Sequence, residues 1–377
     1  MSRIDEICGE LNKKFGARVA QIGVERVKEK KIPFSSMRVN YMFYGGWPRT
    51  GICELYGENN GGKTTISLDL MGNAQKLFKR EWEQRVKELE SFGDKLGRSD
   101  RYELDTLKSR GPLRCVFVDA EHSLDEDWAR TQGVDTEQMV WVRPQQQSAE
   151  QVFNMIIDFC RSEEVGMIVL DSVAKLVGQN ILEESLEKKA YGGIAIPVTA
   201  FVNKYDTLPL SQKPLVVVIN QLREALGDNW AHYVTPGGQA LKFACRVRMM
   251  VSKGKFLDQW GNEQNSTCEN PQGNIVKLAV AKNKFTRPNR RTGQFNLMYV
   301  GGIDKWRDLV DTARQMGIIS QAGSWLSIVD KDGNVRSDSQ GNLMKFQGMG
   351  RLFDYLIEHE EWTNSEFWQE VVDSISD

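Results

Sequence analysis

The chain has 377 residues, with 49 basic side chains against 51 acidic ones and a formal charge of −2. Its 40% hydrophobic and 27% charged residues are those of a globular protein, which excludes a wholly disordered chain, a collagen and a coiled-coil rod. No run approaches the ~18 apolar residues of a membrane span, and the start Met1-Ser2-Arg3-Ile4-Asp5-Glu6 has no apolar signal core, so a cytoplasmic protein with no membrane partner is expected.

Residues 1–34 read as a small N-terminal unit, with Ile4, Ile7, Cys8, Leu11 and Phe15 at helical spacing and Gly16 placed to end the helix. Residues 35–300 alternate short apolar runs with helical patterns. The candidate strands are Ile52–Tyr56, Arg114–Val118, Met139–Val142, Met167–Leu170, Leu215–Ile219, Val247–Val251 and Val276–Ala281. Several are almost continuous apolar and β-branched residues, the pattern of strands buried on both faces, so the fold class is α/β with a mostly parallel central sheet covered by helices. The last two strands are candidates for an antiparallel extension, because residues 252–275 between them are polar and rich in Gly and Asn. Residues 79–110 are crowded with charges, and Trp82, Val86 and Leu89 share one helical face. That segment reads as an inserted, solvated helical hairpin, with a partner-binding arm as the alternative. Residues 301–377 read as a small α/β C-terminal domain. It has a helix around Trp306–Ile318, a polar stretch Asp330–Asn342, and helices through Leu352–Ile357 and Phe367–Ile375. No internal repeat is evident. The six cysteines form no CxxC pair; Cys53, Cys115, Cys160 and Cys245 lie in or beside apolar runs, as buried reduced thiols do.

The chemistry starts at Gly57-Glu58-Asn59-Asn60-Gly61-Gly62-Lys63-Thr64, followed by Thr65. This is the P-loop spacing, set between an apolar strand and a helical pattern over Thr65–Phe78. Glycines let backbone N–H groups close around phosphate oxygens, and the helix N-terminus adds positive potential. Lys63 supplies a point charge at the β- and γ-phosphates, and the Thr64 hydroxyl is a magnesium ligand. Asp171, at the end of Met167–Leu170, is the metal-supporting carboxylate. Glu121 follows the end of another strand and can orient and deprotonate water. Gln221, after Leu215–Ile219 and Asn220, can sense a γ-phosphate. His122 is expected to pack or hydrogen-bond rather than catalyse.

The order of the pieces carries a resemblance. Gly57–Thr65 is followed by Asp119-Ala120-Glu121-His122-Ser123-Leu124-Asp125, then Val169-Leu170-Asp171-Ser172, Asn220-Gln221-Leu222-Arg223, Gly237-Gly238-Gln239-Ala240-Leu241-Lys242-Phe243, and Lys282-Asn283-Lys284. The series resembles the bacterial RecA recombinases and their phage-encoded relatives, from about Glu10 to Asp311. The resemblance implies a RecA-like ATPase core, an oligomerising N-terminal unit, and ATP and magnesium as cofactors. By position, Glu121 corresponds to the catalytic base and Gln221 to the residue that couples the γ-phosphate to DNA. Lys282 and Lys284 correspond to lysines that reach the nucleotide of an adjacent subunit, and Phe243 to an aromatic of that interface. Asp125, Trp128 and Tyr299 match positions at adenine and ribose, with Trp128 in place of the usual tyrosine.

Two loops are expected to meet DNA. One runs from Leu222 to Pro236, carries Arg223, Trp230, His232 and Tyr233, and is followed by Gly237 and Gly238; a cation with aromatics suits single-stranded DNA. The other spans about Leu182–Gly193, where Gly192 and Gly193 permit close backbone approach. The cations Lys282, Lys284, Arg287, Arg290 and Arg291 make a local basic cluster. The expected activity is DNA-dependent ATP hydrolysis by a helical filament on single-stranded DNA that pairs with a homologous duplex and exchanges strands. Loader or single-strand-binding proteins are further candidate partners. Two alternatives stand beside this: a ring-forming motor such as a helicase, and a non-catalytic nucleotide-binding scaffold. Lys63 and Glu121 stand further apart in sequence than the resemblance leads one to expect, because residues 79–110 intervene.

Overall fold

The computed structural model describes residues 3–15, 20, 29–183, 193–224 and 233–376. The chain parts into two compact units, Met1–Lys30 and Lys31–Asp377. In the first, helix α1 (Arg3–Phe15) carries Asp5 and Glu6 in its first turn and Lys13 and Lys14 in its last, each sign at the end of the helix dipole that favours it. Ile4 and Ile7 on α1 are exposed.

The second unit begins with the short helix α2 (Met37–Met42), capped by the Ser36 hydroxyl, and is built on a ten-stranded sheet. Its strands are β1 (Gly51–Gly57), β2 (Arg114–Asp119), β3 (Met139–Val142), β4 (Val165–Asp171), β5 (Leu215–Gln221), β6 (Val247–Leu257), β7 (Gly273–Asn283), β8 (Thr292–Met298) and β9 (Gly302–Ile303). The spatial order is β9-β8-β7-β6-β1-β5-β4-β2-β3, and the two-residue strand Glu263–Gln264 pairs with β6. All neighbours from β6 to β3 are parallel. β7, β8 and β9 are added antiparallel, so the expected extension at residues 247–281 is what forms.

Both faces of the sheet are covered, which is why its central strands are so apolar. Alternation sends Val217 and Ile219 into one core with Leu55, Phe117 and Met71, and Val216 and Val218 into the other with Ile168, Ile156 and Phe201. The helices on these faces include α3 (Lys63–Ser91), α6 (Ala149–Arg161) and α7 (Ala195–Thr207); α4 (Arg98–Arg110) and α5 (Glu126–Thr131) lie between α3 and α6 in sequence. Cys53, Cys115, Cys160 and Cys245 are buried, as their apolar settings require.

The charged segment is a helical hairpin, but it does not begin at residue 79. α3 runs unbroken for 29 residues from the P-loop to Ser91, and α4 folds back beside it. Residues 73–91 contain neither Gly nor Pro and are rich in helix formers, so nothing stops the helix at Phe78. Arg85 binds both carboxylate oxygens of Glu103 at 2.8 Å, the Trp82 indole donates to the Leu107 carbonyl at 2.8 Å, and Leu89 is buried.

A third core joins helix α9 (Lys305–Gln315) to a small antiparallel sheet of β10 (Ile319–Ala322), β11 (Trp325–Ile328) and β12 (Lys345–Gln347), and to helices α10 (Gly348–Glu358) and α11 (Trp368–Ser376). Met37 of α2 joins the same core. One short motif does recur. Asp258-Gln259-Trp260-Gly261-Asn262, Asp330-Lys331-Asp332-Gly333-Asn334 and Asp338-Ser339-Gln340-Gly341-Asn342 each form the same turn. In each, one carboxylate oxygen accepts the N–H groups two and four residues on, at 2.8 or 2.9 Å, and the glycine is left-handed. Among the described residues, no helix is long and apolar enough to cross a membrane.

Candidate active site

Parallel pairing brings strand ends to one edge. Gly57 pairs in register with Gln221, and Asp119 with Asp171. The loop that follows Gly57 meets the N-terminus of α3, whose first N–H groups have no partner within the helix. A Cβ at Gly57 would lie 1.9 Å from the Val251 carbonyl oxygen, so only glycine fits there. Gly62, the N-cap of α3, has φ of 100°, a left-handed conformation that glycine adopts without strain.

Lys63 is buried, and its Nζ donates to the carbonyls of Gly57 at 3.2 Å and Glu58 at 2.5 Å. Burial lowers its pKa, while Asp171, Glu121 and Glu58 pull it back up. The Thr64 hydroxyl donates to Asp171 Oδ2 at 2.6 Å. Burial pushes the Asp171 carboxyl up to about 6, against the Thr64 hydrogen bond and the charge of Lys63. A buried carboxylate beside a hydroxyl is a pair of hard oxygen donors, the ligand type that magnesium takes, so the pair fits magnesium. Glu121 Oε1 accepts two hydrogen bonds, from Ser172 Oγ and from Gln221 Nε2, both at 2.6 Å. The Glu121 and Gln221 side chains are therefore in direct contact.

These groups line one cavity of about 810 Å³. Asn59, Asn60, Gly61, Gly62, Lys63, Thr64 and Thr65 line it, together with Glu121, Asp171 and Gln221. Asp125, Trp128 and Tyr299 line it as well. Asp125 caps α5 by accepting the Trp128 N–H, and the Trp128 indole donates to Thr65 Oγ1 at 3.2 Å. Gly57 and Glu58 are not among its lining residues but hold Lys63 through their carbonyls. His122 is exposed, with φ of 54°.

The remaining predicted residues lie elsewhere. Lys282 Nζ donates to the carbonyls of Lys242 at 2.6 Å and Phe243 at 2.7 Å, at the end of helix α8 (Gly238–Ala244). Burial lowers the Lys282 pKa, and the neighbouring Lys284 lowers it further. Phe243 is 71% exposed and Lys284 is exposed. Gly237 and Gly238 are left-handed at the start of α8, where a Cβ on Gly238 would meet that of Ala195 at 3.1 Å. Gly193 is also left-handed, with open space around it. Arg223 is exposed and donates to the Ala174 carbonyl at 3.0 Å. Gly192, Trp230 and His232 fall outside the described residues, as does the Tyr233 side chain.

Sequence reasoning missed two groups. Lys175, Lys253 and Asn274 also line the cavity. Beside it, fully buried Glu54 accepts from Asn220 Nδ2 at 2.9 Å and from the Arg248 guanidinium; the same Asn220 amide donates to the Pro236 carbonyl at 2.8 Å. The signal was a charge inside the apolar strand Ile52–Tyr56, since a buried charge demands a partner.

A family model described as the RecA N-terminal domain matches residues 105–304. A "Protein RecA" of Aquifex aeolicus (strain VF5) is 30% identical over 355 residues, 93% of this chain and 86% of its own length. The chain belongs to the RecA family. Relatives named "Protein RecA" from Thermus aquaticus and Bacillus subtilis (strain 168) are 30% and 28% identical, over 84% and 86% of this chain and 82% and 81% of their own. Membership makes the chain a P-loop, DNA-dependent ATPase and an ATP-dependent recombinase. The family-model match begins within α4, so the start of the hairpin and the P-loop lie outside that stretch. The geometry around Lys63 supports the P-loop independently.

Proposed function

We propose that the chain binds ATP with magnesium at the P-loop edge, polymerises on single-stranded DNA as a helical filament, pairs that strand with a homologous duplex and exchanges strands. Backbone N–H groups of loop 57–65 receive phosphate oxygens, and Lys63 neutralises the β- and γ-phosphates. Thr64 and Asp171 hold the magnesium, which offsets phosphate charge. Glu121 holds and deprotonates the attacking water, and Gln221 reports the γ-phosphate to the loop that starts at Leu222. Asp125, Trp128 and Tyr299 hold the adenosine. Arg223, Trp230 and the glycines at 192, 193, 237 and 238 meet DNA. Lys282 and Lys284 serve the nucleotide of the adjacent subunit, with Phe243 in the interface. Residues 1–34 serve the same assembly, a reading supported by exposed Ile4 and Ile7, and residues 301–377 form the C-terminal domain.

The observation that carries this reading is the 2.6 Å contact between Gln221 and Glu121. A group that moves with the DNA loop can pull on the base directly, which is how DNA would govern turnover. Electron microscopy with single-stranded DNA, magnesium and a slowly hydrolysed ATP analogue tests it. Extended filaments that require the nucleotide, with ATP hydrolysis raised by DNA, are expected. Closed rings would favour the motor reading, and nucleotide binding without turnover the scaffold.

A further inference from the structure

Besides Lys63, two lysines line the cavity to which the family pattern gives no task, Lys175 and Lys253; Lys175 is the one that closely follows Asp171 in sequence. Strand β4 ends at Asp171, and after Ser172 the chain makes a single 3-10 turn, Val173–Lys175. Lys175 lines the cavity together with Lys63, Glu121, Asp171 and Gln221. Among the described residues it forms no ion pair, although three carboxylates line the same space. The turn is held from two sides. Ser172 donates to Glu121 at 2.6 Å, and Arg223 donates to the Ala174 carbonyl at 3.0 Å. The lysine therefore projects from a pinned backbone rather than from a loose loop. Its turn follows Ser172, whose acceptor Glu121 also accepts from the Gln221 amide.

We propose that Lys175 is a cation, supplied within the same chain, that recognises the terminal phosphate of a bound nucleoside triphosphate, and that Arg223 is the positioning residue that aims it. This rests on the nucleotide reading above. Lys63 serves the β-phosphate, which a diphosphate also has, as well as the γ-phosphate, whereas Lys175 would meet only the one that hydrolysis removes. Arg223 stands two residues after Gln221, so the start of the candidate DNA loop touches the nucleotide site at a second point. A charge-assisted contact of this kind is expected to change affinity by about tenfold or more.

The test is equilibrium binding of the full chain, with magnesium and without DNA, to ADP and to a slowly hydrolysed ATP analogue. Lys175→Ala and Lys175→Gln should weaken the triphosphate analogue about tenfold while ADP stays within about twofold; Lys175→Arg should restore the preference. Arg223→Ala should shift the same ratio in the same direction, which a merely structural role would not do. Thermal melts like that of the wild type confirm that each variant is folded. Equal weakening of both nucleotides, or of neither, overturns the assignment of Lys175. An unchanged ratio in Arg223→Ala overturns the positioning role. If the wild type binds neither nucleotide, or Lys63→Ala binds both as well as the wild type, it is the underlying nucleotide reading that fails.

Discussion

The two edges of the central sheet differ in how complete they are. At the edge where β1, β5 and β4 end, the side chains answer one another: Thr64 meets Asp171, Gln221 meets Glu121, and Glu121 meets Ser172. At the opposite edge, Lys282 rests on the end of α8, while Lys284 and Phe243 face outward. Register separates them. Lys282 pairs with Arg248, which pairs with Glu54, so it lies roughly 10 Å short of the Gly57 strand end at ~3.3 Å per residue. β7 then runs away from the P-loop, because it is antiparallel to β6. A lysine placed there lies away from its own P-loop, the arrangement that the proposed contact with a neighbour's nucleotide requires. On the proposed reading, one edge would hold the reaction and the other the groups that serve a second copy.

The largest expected effect breaks the first edge. Lys63→Ala should lower ATP turnover by at least ~100-fold in a steady-state assay, as removal of a phosphate-neutralising group does. Lys282→Ala combined with Lys284→Ala should lose DNA-stimulated turnover while still binding ATP. Mixing the two variants sharpens the comparison. If the lysines act across subunits, mixed filaments recover activity that neither has alone, because an intact P-loop then faces intact lysines; no recovery would confine the lysines to their own chain.

A smaller effect tests a region outside both edges. Leu89→Ala empties a fully buried position in the hairpin and should cost ~2–5 kcal/mol in denaturant unfolding. Turnover per folded molecule should stay within about twofold, since Leu89 is far along α3 from Lys63. A larger drop would tie the hairpin to the nucleotide edge.

The smallest effect concerns Asp308, whose carboxyl burial pushes up to about 7 from 3.8. Between those values the folded state keeps a proton that the unfolded chain has released, so this group makes stability fall as pH rises through the window. Ser36 and the Arg38 N–H both donate to the same oxygen, Oδ2, and the carbonyl of an amide can keep both bonds. Asp308→Asn should flatten the plot of thermal midpoint against pH over that range. Parallel plots for the two proteins would place the proton on another group.

The contrast between the edges also explains what could be read from the chain alone. β-branched runs such as Leu215–Ile219 announce buried strands, and each strand end that carries chemistry is followed by a residue of distinctive type: Gly57, Glu121, Asp171, Gln221. The long reach of α3 was hidden because the charged face of a solvated helix resembles an insertion, and no breaker marks a boundary. The sheet β10–β12 escaped because strands of three or four residues are too short to show alternation. Lys175 escaped for another reason: its type is common on surfaces, and only the fold brings it to the cavity that Lys63 lines. The Glu54–Arg248 pair required knowing that β1 and β6 are neighbours, which no local pattern states.

The recurring Asp-x-x-Gly-Asn turn bears on how such a chain finds its shape. Parallel pairs such as β1 with β5 join residues more than 150 positions apart, and contacts that distant are slow to close. The turns at Asp258, Asp330 and Asp338 close over five residues with their own hydrogen bonds. Each can form on the timescale of a hairpin, microseconds, before any distant strand arrives. The antiparallel flank of the sheet and the small C-terminal sheet thus carry reversals that close with local hydrogen bonds, while the nucleotide edge depends on strands far apart in the chain. The nucleotide edge exists only when segments from across the chain have come together.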